Sequence, residues 1–126
     1  MQVVTRLNVG GPALHVLSLE RELVRRGFDV RVASGALGAG EEGVERLLGL
    51  RSTSGVRVTG LRPDVSPIGD LRATIALFAL LRRFRPAVVH THTSKAGMVG
   101  RLAAAWYNAG RPVDRRCFVV HTFHGH

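Results

Sequence analysis

The sequence predicts an α/β protein in which helices cover both faces of a parallel sheet. Three observations support this class. Segments with strand-like and helix-like apolar patterns alternate along the 126 residues, the connections between them are short, and the strand segments are apolar. Parallel strands need a crossover connection, usually a helix, and helices on both faces bury them. The prediction is therefore a Rossmann-like sheet, with the strand order left open.

A glycine-rich turn separates the first predicted strand from the first predicted helix. Residues 2–7 form the strand, and Asn8-Val9-Gly10-Gly11-Pro12 follows. Proline suits the first turn of a helix, because the N–H that it lacks has no partner there. From residue 13 to residue 26, apolar side chains recur at helical spacing, namely Val16, Leu17, Leu19, Leu23 and Val24. Gly27 predicts the end of this helix.

Two shorter strand and helix segments come next. Residues 28–33 alternate with period two and predict the second strand, and residues 35–40, rich in Gly and Ala, predict a loop. Residues 41–49 predict a short helix opened by two glutamates, since acidic side chains stabilise a helix N-terminus. Residues 56–59 alternate again and predict the third strand.

A long helix follows the third strand. Ser66 and Pro67 predict its N-cap and first position, and Phe84 lies at its end, before an Arg-Pro pair. Helical spacing predicts a core-facing stripe of Leu71, Ile75, Phe78 and Leu81.

The last predicted elements are a strand, a helix and a final strand. Residues 87–90 form the strand, and residues 95–108 form a helix whose alanines allow close packing. A basic, polar loop at 110–116 leads to an apolar strand at 118–123, whose pattern predicts burial.

The composition is that of an ordinary globular chain. Apolar residues make up 45% and charged residues 21%, which argues against disorder. No apolar stretch approaches the roughly eighteen residues of a transmembrane helix, and no signal peptide opens the chain, so we expect a cytoplasmic protein. The single cysteine, Cys117, allows no internal disulfide and is typical of a reducing compartment.

The net charge of +9 is unusual, and all but one of the 18 basic residues are arginines. They are scattered along the chain, so we expect no nucleic-acid partner. Several lie near predicted helix ends, where a cation complements the helix dipole. The alternative is an anionic partner, such as a membrane surface or a phosphorylated substrate.

Five of the six histidines follow two predicted strands, His90 and His92 at one and His121, His124 and His126 at the other. Chemistry in open α/β folds lies at the carboxyl ends of the strands. The last three allow a metal site, packing of a buried histidine, or a polar substrate site. No acidic or cysteine ligand accompanies them, so no metal is expected. Packing fits His121, the substrate site fits His124, and the role of His126 stays open.

Two further segments could bind an anion. Gly10 and Gly11 precede a helix, where backbone N–H groups can approach a phosphate, although a simple tight turn explains them equally well. Thr93, Ser94 and Lys95 open another helix, either as a substrate contact or as an N-cap and a solvated lysine. The loop at residues 8–12 has neither the G-x-G-x-x-G spacing of a dinucleotide-binding turn nor that of a Walker loop, and the sequence contains no G-x-S-x-G hydrolase elbow.

Three segments together resemble family 4 glycosyltransferases. They are residues 5–13 with His15 shortly after, residues 89–97, and residues 120–126. The resemblance implies the N-terminal half of a GT-B fold, in which two Rossmann-like domains face each other across a cleft. It also implies transfer of a sugar from a nucleotide-sugar donor to an acceptor with retention of configuration, and no metal or other cofactor.

The resemblance assigns roles to individual residues. Gly10 and Gly11 would bind the donor diphosphate, and His124 would be the catalytic histidine near the transferred sugar. The acceptor pocket would be bordered by His92, Thr93, Ser94 and Lys95. The basic surface is similar to that of GT-B enzymes that dock peripherally on anionic membranes.

The resemblance also implies a domain organisation. Residues 1–126 would be a truncated acceptor-side domain without the C-terminal donor-binding domain, and inactive alone. The alternative hypothesis is a standalone Rossmann-like module that binds an anion or nucleotide without catalysis.

Overall fold

Five short parallel strands form one sheet in the computed structural model, which describes residues 1–49 and 55–124. The strands are β1 (Gln2–Val4), β2 (Val32–Ser34), β3 (Gly55–Arg57), β4 (Val88–His92) and β5 (Phe118–Thr122). The helices are α1 (Gly11–Arg25), α2 (Val44–Leu48), α3 (Pro67–Phe84) and α4 (Ser94–Ala109), with a 3₁₀ turn at Val113–Arg115. The predicted α/β, Rossmann-like class is confirmed.

The strand order is β3-β2-β1-β4-β5. The chain builds outward from β1 to β3 and then returns to the other side of β1 with β4, which pairs Gln2 with His90 and Val3 with Thr91. The connections that leave β1 and β4 therefore diverge. In an open α/β sheet this switch point opens a crevice outside the carboxyl ends of the strands.

Alternating side chains of β1 enter two separate apolar cores. Val3 belongs to the core under α3 and α4, whereas Val4 belongs to the core under α1. Both side chains are completely buried. Because successive side chains of a strand point to opposite faces, a central strand buried on both sides is mainly apolar, and Gln2 is the polar exception in β1.

Predicted helix signals are confirmed at both ends of the long elements. The Ser66 hydroxyl accepts a hydrogen bond from the Gly69 N–H at 3.1 Å and caps α3. Gly27 has a φ of +90° just after α1, the left-handed conformation in which glycine ends helices. Pro12 lies in the first turn of α1.

Close contact between α4 and the sheet depends on small residues. The alanines predicted to allow it, Ala96, Ala103 and Ala104, are completely buried. Gly97 and Gly100 also face the sheet: a Cβ at Gly97 would lie 2.7 Å from the His121 ring, and one at Gly100 would overlap the methyl group of Thr91.

Several predicted boundaries of strands and helices are wrong. A strand forms only where a neighbouring strand pairs with it, and the local sequence pattern does not show where that neighbour begins. The strand predicted at 28–33 begins at Val32, since its neighbour β1 begins only at Gln2, which pairs with Val32. The helix predicted at 41–49 begins at Val44. Glu41 instead accepts a hydrogen bond from the Gly38 N–H and pairs with Arg6 at 2.8 Å.

Two burial predictions are also wrong. On α3 the buried side chains are Ala73, Leu77 and Leu81, whereas Leu71 and Ile75 are 61% and 48% exposed. The helix carries two apolar stripes, and the sheet covers only one of them. Strand β5 was predicted to be buried, yet Phe118–Val120 are exposed because β5 is the outermost strand of the sheet.

Candidate functional site

A cavity of about 340 Å³ lies at the switch point, where the loop after β1 meets the start of α4. Its walls are Thr5, Arg6, Asn8, Gly10, Pro12, Pro63, Thr93, Ser94 and Lys95. The structure thus brings Gly10 together with three residues that lie more than eighty positions later. We call it the switch cavity. A larger cavity of about 710 Å³ beside α2 has none of the predicted site residues in its walls.

The start of α4 is held in an unusual conformation beside the switch cavity. Thr93, the residue before α4, has a φ of +71°, which is rare and strained for a β-branched residue. Its hydroxyl lies 2.6 Å from that of Thr5, at the end of β1. Within the described chain, no side chain caps the N-terminus of α4. Its first N–H groups are therefore available to a polar ligand.

Lys95 enters the switch cavity with its charge already balanced. Its Nζ donates to both carboxylate oxygens of Asp70, at 2.8 Å and 2.9 Å. The two side chains are only 12% and 21% exposed. The predicted alternative of a solvated lysine is therefore wrong, and Lys95 links the first turns of α3 and α4.

Three imidazoles lie together next to this cavity. The ring centroids of His15, His92 and His124 are 5.4 to 5.6 Å apart. They come from α1, from the end of β4 and from the residues after β5. His90 lies 4.1 Å from His92 on the same side of β4, as the spacing of two residues predicts. We call these four residues the histidine cluster.

His92 forms the buried centre of the histidine cluster. Its side chain is completely buried, with ring nitrogens 3.1 Å from Gln2 Oε1 and 3.2 Å from His124 Nε2. Burial, reinforced by the charges of neighbouring imidazoles, lowers the pKa of His92 to about 3. An acceptor contact needs an accessible side chain, and the predicted acceptor role of His92 finds no support in this position.

His121 has the packing role predicted for it, with a different partner. Its Nδ1 lies 2.8 Å from the hydroxyl of Thr91, whereas a buried histidine of this kind was expected to bond to a backbone group. Its ring packs on Gly97 of α4, on the face opposite the histidine cluster. His124 is half-buried at the edge of the cluster. His126 lies outside the described residues, so its role stays open.

No group of three or more metal-ligating side chains is arranged to hold an ion, as far as the described residues extend. The histidine cluster contains only imidazoles, and Nε2 of His124 and Nδ1 of His92 lie at hydrogen-bonding distance from each other. The geometry therefore supports a hydrogen bond between two imidazoles.

Three residues of this region are absent from the sequence-based site. His15 lies one turn into α1, and its position after Gly10 and Gly11 is the only signal that could have indicated it. Gln2 is a polar residue in an otherwise apolar buried strand, which indicates a buried hydrogen bond. Asp70 shows no distinctive pattern, because an acidic residue in a first helical turn is common.

The fold and the cavity at the switch point define the class: a Rossmann-like domain with a cavity at the carboxyl edge of its sheet, the place where open α/β folds bind their ligands. The glycosyl transferase 4-like domain family matches residues 10–126, and the chain belongs to this family.

A curated relative and a solved structure agree with this membership. Over 62 residues the chain is 44% identical to the UDP-Gal:alpha-D-GlcNAc-diphosphoundecaprenol alpha-1,3-galactosyltransferase of Escherichia coli. That match covers 49% of the chain and 14% of the relative.

The crystal structure of MurG from Acinetobacter baumannii superposes on 97% of the chain with a TM-score of 0.61 and 20% identity. The match covers 33% of MurG, so the chain corresponds to about a third of that protein. At this identity the likeness shows the fold, that of one half of a GT-B enzyme.

None of the helices in the described part of the chain has the length and apolar character needed to cross a bilayer.

Proposed function

We propose that residues 1–126 form the acceptor-side domain of a retaining glycosyltransferase, which takes its sugar from a nucleotide-sugar donor. The observation that carries the proposal is the switch cavity, in whose wall the glycine loop after β1 faces the start of α4. Family membership supports sugar transfer. Retention of configuration, and transfer without a bound metal ion, follow from the resemblance to family 4 enzymes.

The donor diphosphate is proposed to bind at Gly10 and Gly11. Helix α1 begins at Gly11, and Gly10 is its N-cap residue without a side-chain cap. A Cβ at Gly11 would meet no atom within 4 Å, so space for a ligand exists beside it. Backbone N–H groups at a helix N-terminus favour phosphate through hydrogen bonds and the helix dipole.

The acceptor is proposed to lie against Thr93, Ser94 and Lys95, which line the same cavity. Hydroxyl groups and the uncapped N–H groups of α4 suit a polar or anionic acceptor group. The E. coli relative acts, by its name, on a sugar linked to diphosphoundecaprenol. A lipid-linked sugar diphosphate is therefore the first acceptor to test.

A second domain is proposed to close the cleft. On this proposal the chain alone binds ligand weakly and does not turn over. The alternative, a standalone binding module, predicts tight nucleotide binding by the 126-residue chain without any second domain.

The test combines the 126-residue chain with a separately made C-terminal half of the E. coli relative. Radiolabelled UDP-sugars are offered with a lipid-linked acceptor, with and without EDTA, and the anomeric configuration of the product is determined by NMR. We expect transfer only in the mixture, with retention and without sensitivity to EDTA. Tight nucleotide binding by the chain alone, with no transfer in any mixture, would favour the binding module.

Peripheral contact with an anionic membrane is proposed for the exposed side of α3 and α4. The two helices run side by side, since Asp70 pairs with Lys95 near their starts and Phe78 stacks on Trp106 at 4.1 Å further along. Their outer stripes expose Leu71, Ile75, Met98, Leu102 and Trp106. Such contiguous apolar surface indicates a docking site.

Arginines border this apolar surface. The guanidinium of Arg82 lies 5.9 Å from the Phe78 ring, and that of Arg111 lies 4.3 Å from the Tyr107 ring. Apolar side chains with flanking cations suit a surface of anionic lipid headgroups, because burial and charge attraction act together.

Vesicle sedimentation tests this contact. We expect the chain to sediment with phosphatidylglycerol vesicles far more than with phosphatidylcholine vesicles, and less as salt rises. The double variant Leu102→Gln/Trp106→Gln should lose most binding, whereas Val65→Gln, at another exposed apolar residue, should keep it. Equal binding by both variants would contradict the assigned surface.

A further inference from the structure

We propose that Gln2 and His92 are positioning residues for His124: a buried chain of hydrogen bonds holds the His124 ring with its proton on Nε2. The inference rests on the proposed function, together with the contact to the transferred sugar that the resemblance to family 4 glycosyltransferases implies for His124. It assigns a role to Gln2 and a new role to His92, neither of which needs to touch a substrate.

The series of buried hydrogen bonds begins at Gln2, whose side-chain amide has a single allowed orientation. Its Nε2 donates to the backbone carbonyl of Val16 at 3.2 Å, and its Oε1 lies 3.1 Å from His92 Nε2. A reversed amide would place two acceptor oxygens against each other, the side-chain carbonyl against that of Val16. Gln2 Oε1 therefore accepts a hydrogen bond, and His92 Nε2 carries the proton that is donated.

Because the His92 ring is neutral, the proton on its Nε2 determines that its other nitrogen, Nδ1, carries none. The groups that act on it are imidazoles on every side, namely His15 on α1, His90 on β4, and His121 and His124 near β5. Each positive charge there would disfavour another on His92, and burial disfavours it further. With one proton, already on Nε2, the ring has a bare acceptor at Nδ1.

His124 is then the donor in the last bond. Its Nε2 lies 3.2 Å from His92 Nδ1, and two bare nitrogens would repel each other. The proton must therefore lie on His124 Nε2. The buried hydrogen bonds thus fix both the orientation of the His124 ring and the nitrogen that carries its proton.

Long-range ¹H–¹⁵N NMR of the labelled 126-residue chain reads the tautomers directly. We expect His92 and His124 each to be protonated at Nε2 near neutral pH. Protonation of either ring at Nδ1 alone would overturn the inference, and this readout needs no variant.

Two variants distinguish the effect of the buried hydrogen bonds from a general effect on packing. Gln2→Leu removes the acceptor for His92, so His124 should change to a mixture of tautomers. Thr122→Val removes the neighbouring bond of 2.6 Å to His90 and should leave the tautomer of His124 unchanged. A folded Gln2→Leu protein with the tautomer of His124 unchanged would overturn the inference. If Gln2→Leu does not fold, Gln2→Glu tests the inference in another way: its carboxylate should raise the pKa of His92, and a charged His92 would donate from Nδ1, so the proton of His124 should move from Nε2 to Nδ1. A His124 tautomer that stays unchanged while His92 becomes charged would overturn the inference.

Kinetics of the reconstituted enzyme distinguish failure of this inference from failure of the proposed function. Gln2→Leu should lower kcat about tenfold with little change in KM, because a misoriented hydrogen bond weakens transition-state contacts. If NMR shows the predicted tautomers but the reconstituted enzyme transfers no sugar, the proposed function is refuted and the hydrogen-bond assignment stands. Transfer with unchanged kcat in Gln2→Leu would refute the positioning role alone.

Discussion

At the scale of single residues, the partners of a side chain decide its chemistry. Lys95 is the only lysine of the chain, yet its ammonium is committed to Asp70. His92 and His124 share one residue type, but one is completely buried and the other half-buried. Burial encloses His92 within the histidine cluster, whereas His124 and the exposed His15 lie at its edge.

The Lys95–Asp70 pair should show strong coupling in a double-mutant cycle. Lys95→Met and Asp70→Asn should each destabilise the chain, because each leaves the other charge enclosed without a partner. The double variant should lose less than the sum, with a coupling of about 1–3 kcal/mol in urea unfolding.

The exposed pair Arg62–Asp64, at 3.2 Å, is the matched control for this cycle. Its coupling should stay below about 1 kcal/mol. Equal coupling in both pairs would show that burial does not strengthen the Lys95–Asp70 pair.

His124→Ala should lower transfer by the reconstituted enzyme about tenfold to a hundredfold, the loss of one hydrogen bond to the reacting sugar. The measurement is kcat/KM with a nucleotide-sugar donor. Phe123→Ala changes the preceding, highly exposed side chain and should keep most of the activity. If both variants are fully active, His124 does not contact the sugar.

At the scale of elements, the small residues of α4 let this helix pack close to the sheet, and its first turn lies beside the glycine loop. Gly97 and Gly100 face His121 and Thr91 without a side chain between them. The same helix begins with the strained Thr93 at the switch cavity. Small residues in the middle of α4 therefore set the geometry of the site at its end.

Gly100→Ala should destabilise the chain by about 1–3 kcal/mol, because the added methyl group overlaps that of buried Thr91 and overpacks the interface. Urea unfolding monitored by circular dichroism measures the loss. Gly110→Ala, where a Cβ meets nothing within 4 Å, should change stability little. A neutral Gly100→Ala would mean that α4 can move away from the sheet at small cost.

At the scale of the whole molecule, the switch cavity and the exposed apolar stripes lie on different parts of the domain. The switch cavity and the histidine cluster lie at the carboxyl edge of the sheet, whereas the exposed apolar stripes lie along α3 and α4. On the proposed function, a membrane-bound acceptor would approach the cavity while the stripes contact the lipid surface. The fold also places His90 and His92 where burial disfavours their charged forms.

Stability should therefore fall when the solution becomes mildly acidic. Burial lowers the pKa of His92 from 6.5 to about 3, and it also lowers that of His90. The unfolded chain binds these protons first, so the stabilisation is fully present above pH 6.5 and is lost progressively as the pH falls toward 3. Between pH 7.5 and 5.5, His92 alone should lower the free energy of unfolding by on the order of 1 kcal/mol.

Urea titrations at these two pH values measure the effect, and His92→Gln should reduce the difference. Both proteins are compared at equal ionic strength, so that screening of the arginines is the same. An unchanged pH dependence in folded His92→Gln would mean that other groups cause the loss.

Local patterns in the amino-acid order establish the fold class and most helix ends. Ser66 and Gly27 act through hydrogen bonds and backbone angles within a few residues, so their roles can be predicted without the rest of the chain. The predicted glycine loop and the Thr93–Lys95 segment also lie together, because carboxyl ends of parallel strands share one edge.

Only the tertiary structure decides the strand order, the buried face of α3 and the partners within the site. Gln2, His92 and His124 are separated by 90 and 32 positions, and no local signal specifies such distant hydrogen bonds. The exposed stripe on α3 shows the same limit, since helical periodicity marks both apolar stripes and packing buries one. The strand order, the buried face of α3 and the partners within the site have the same physical cause. Each depends on which strands and helices become neighbours, and the whole chain rather than any local segment determines this.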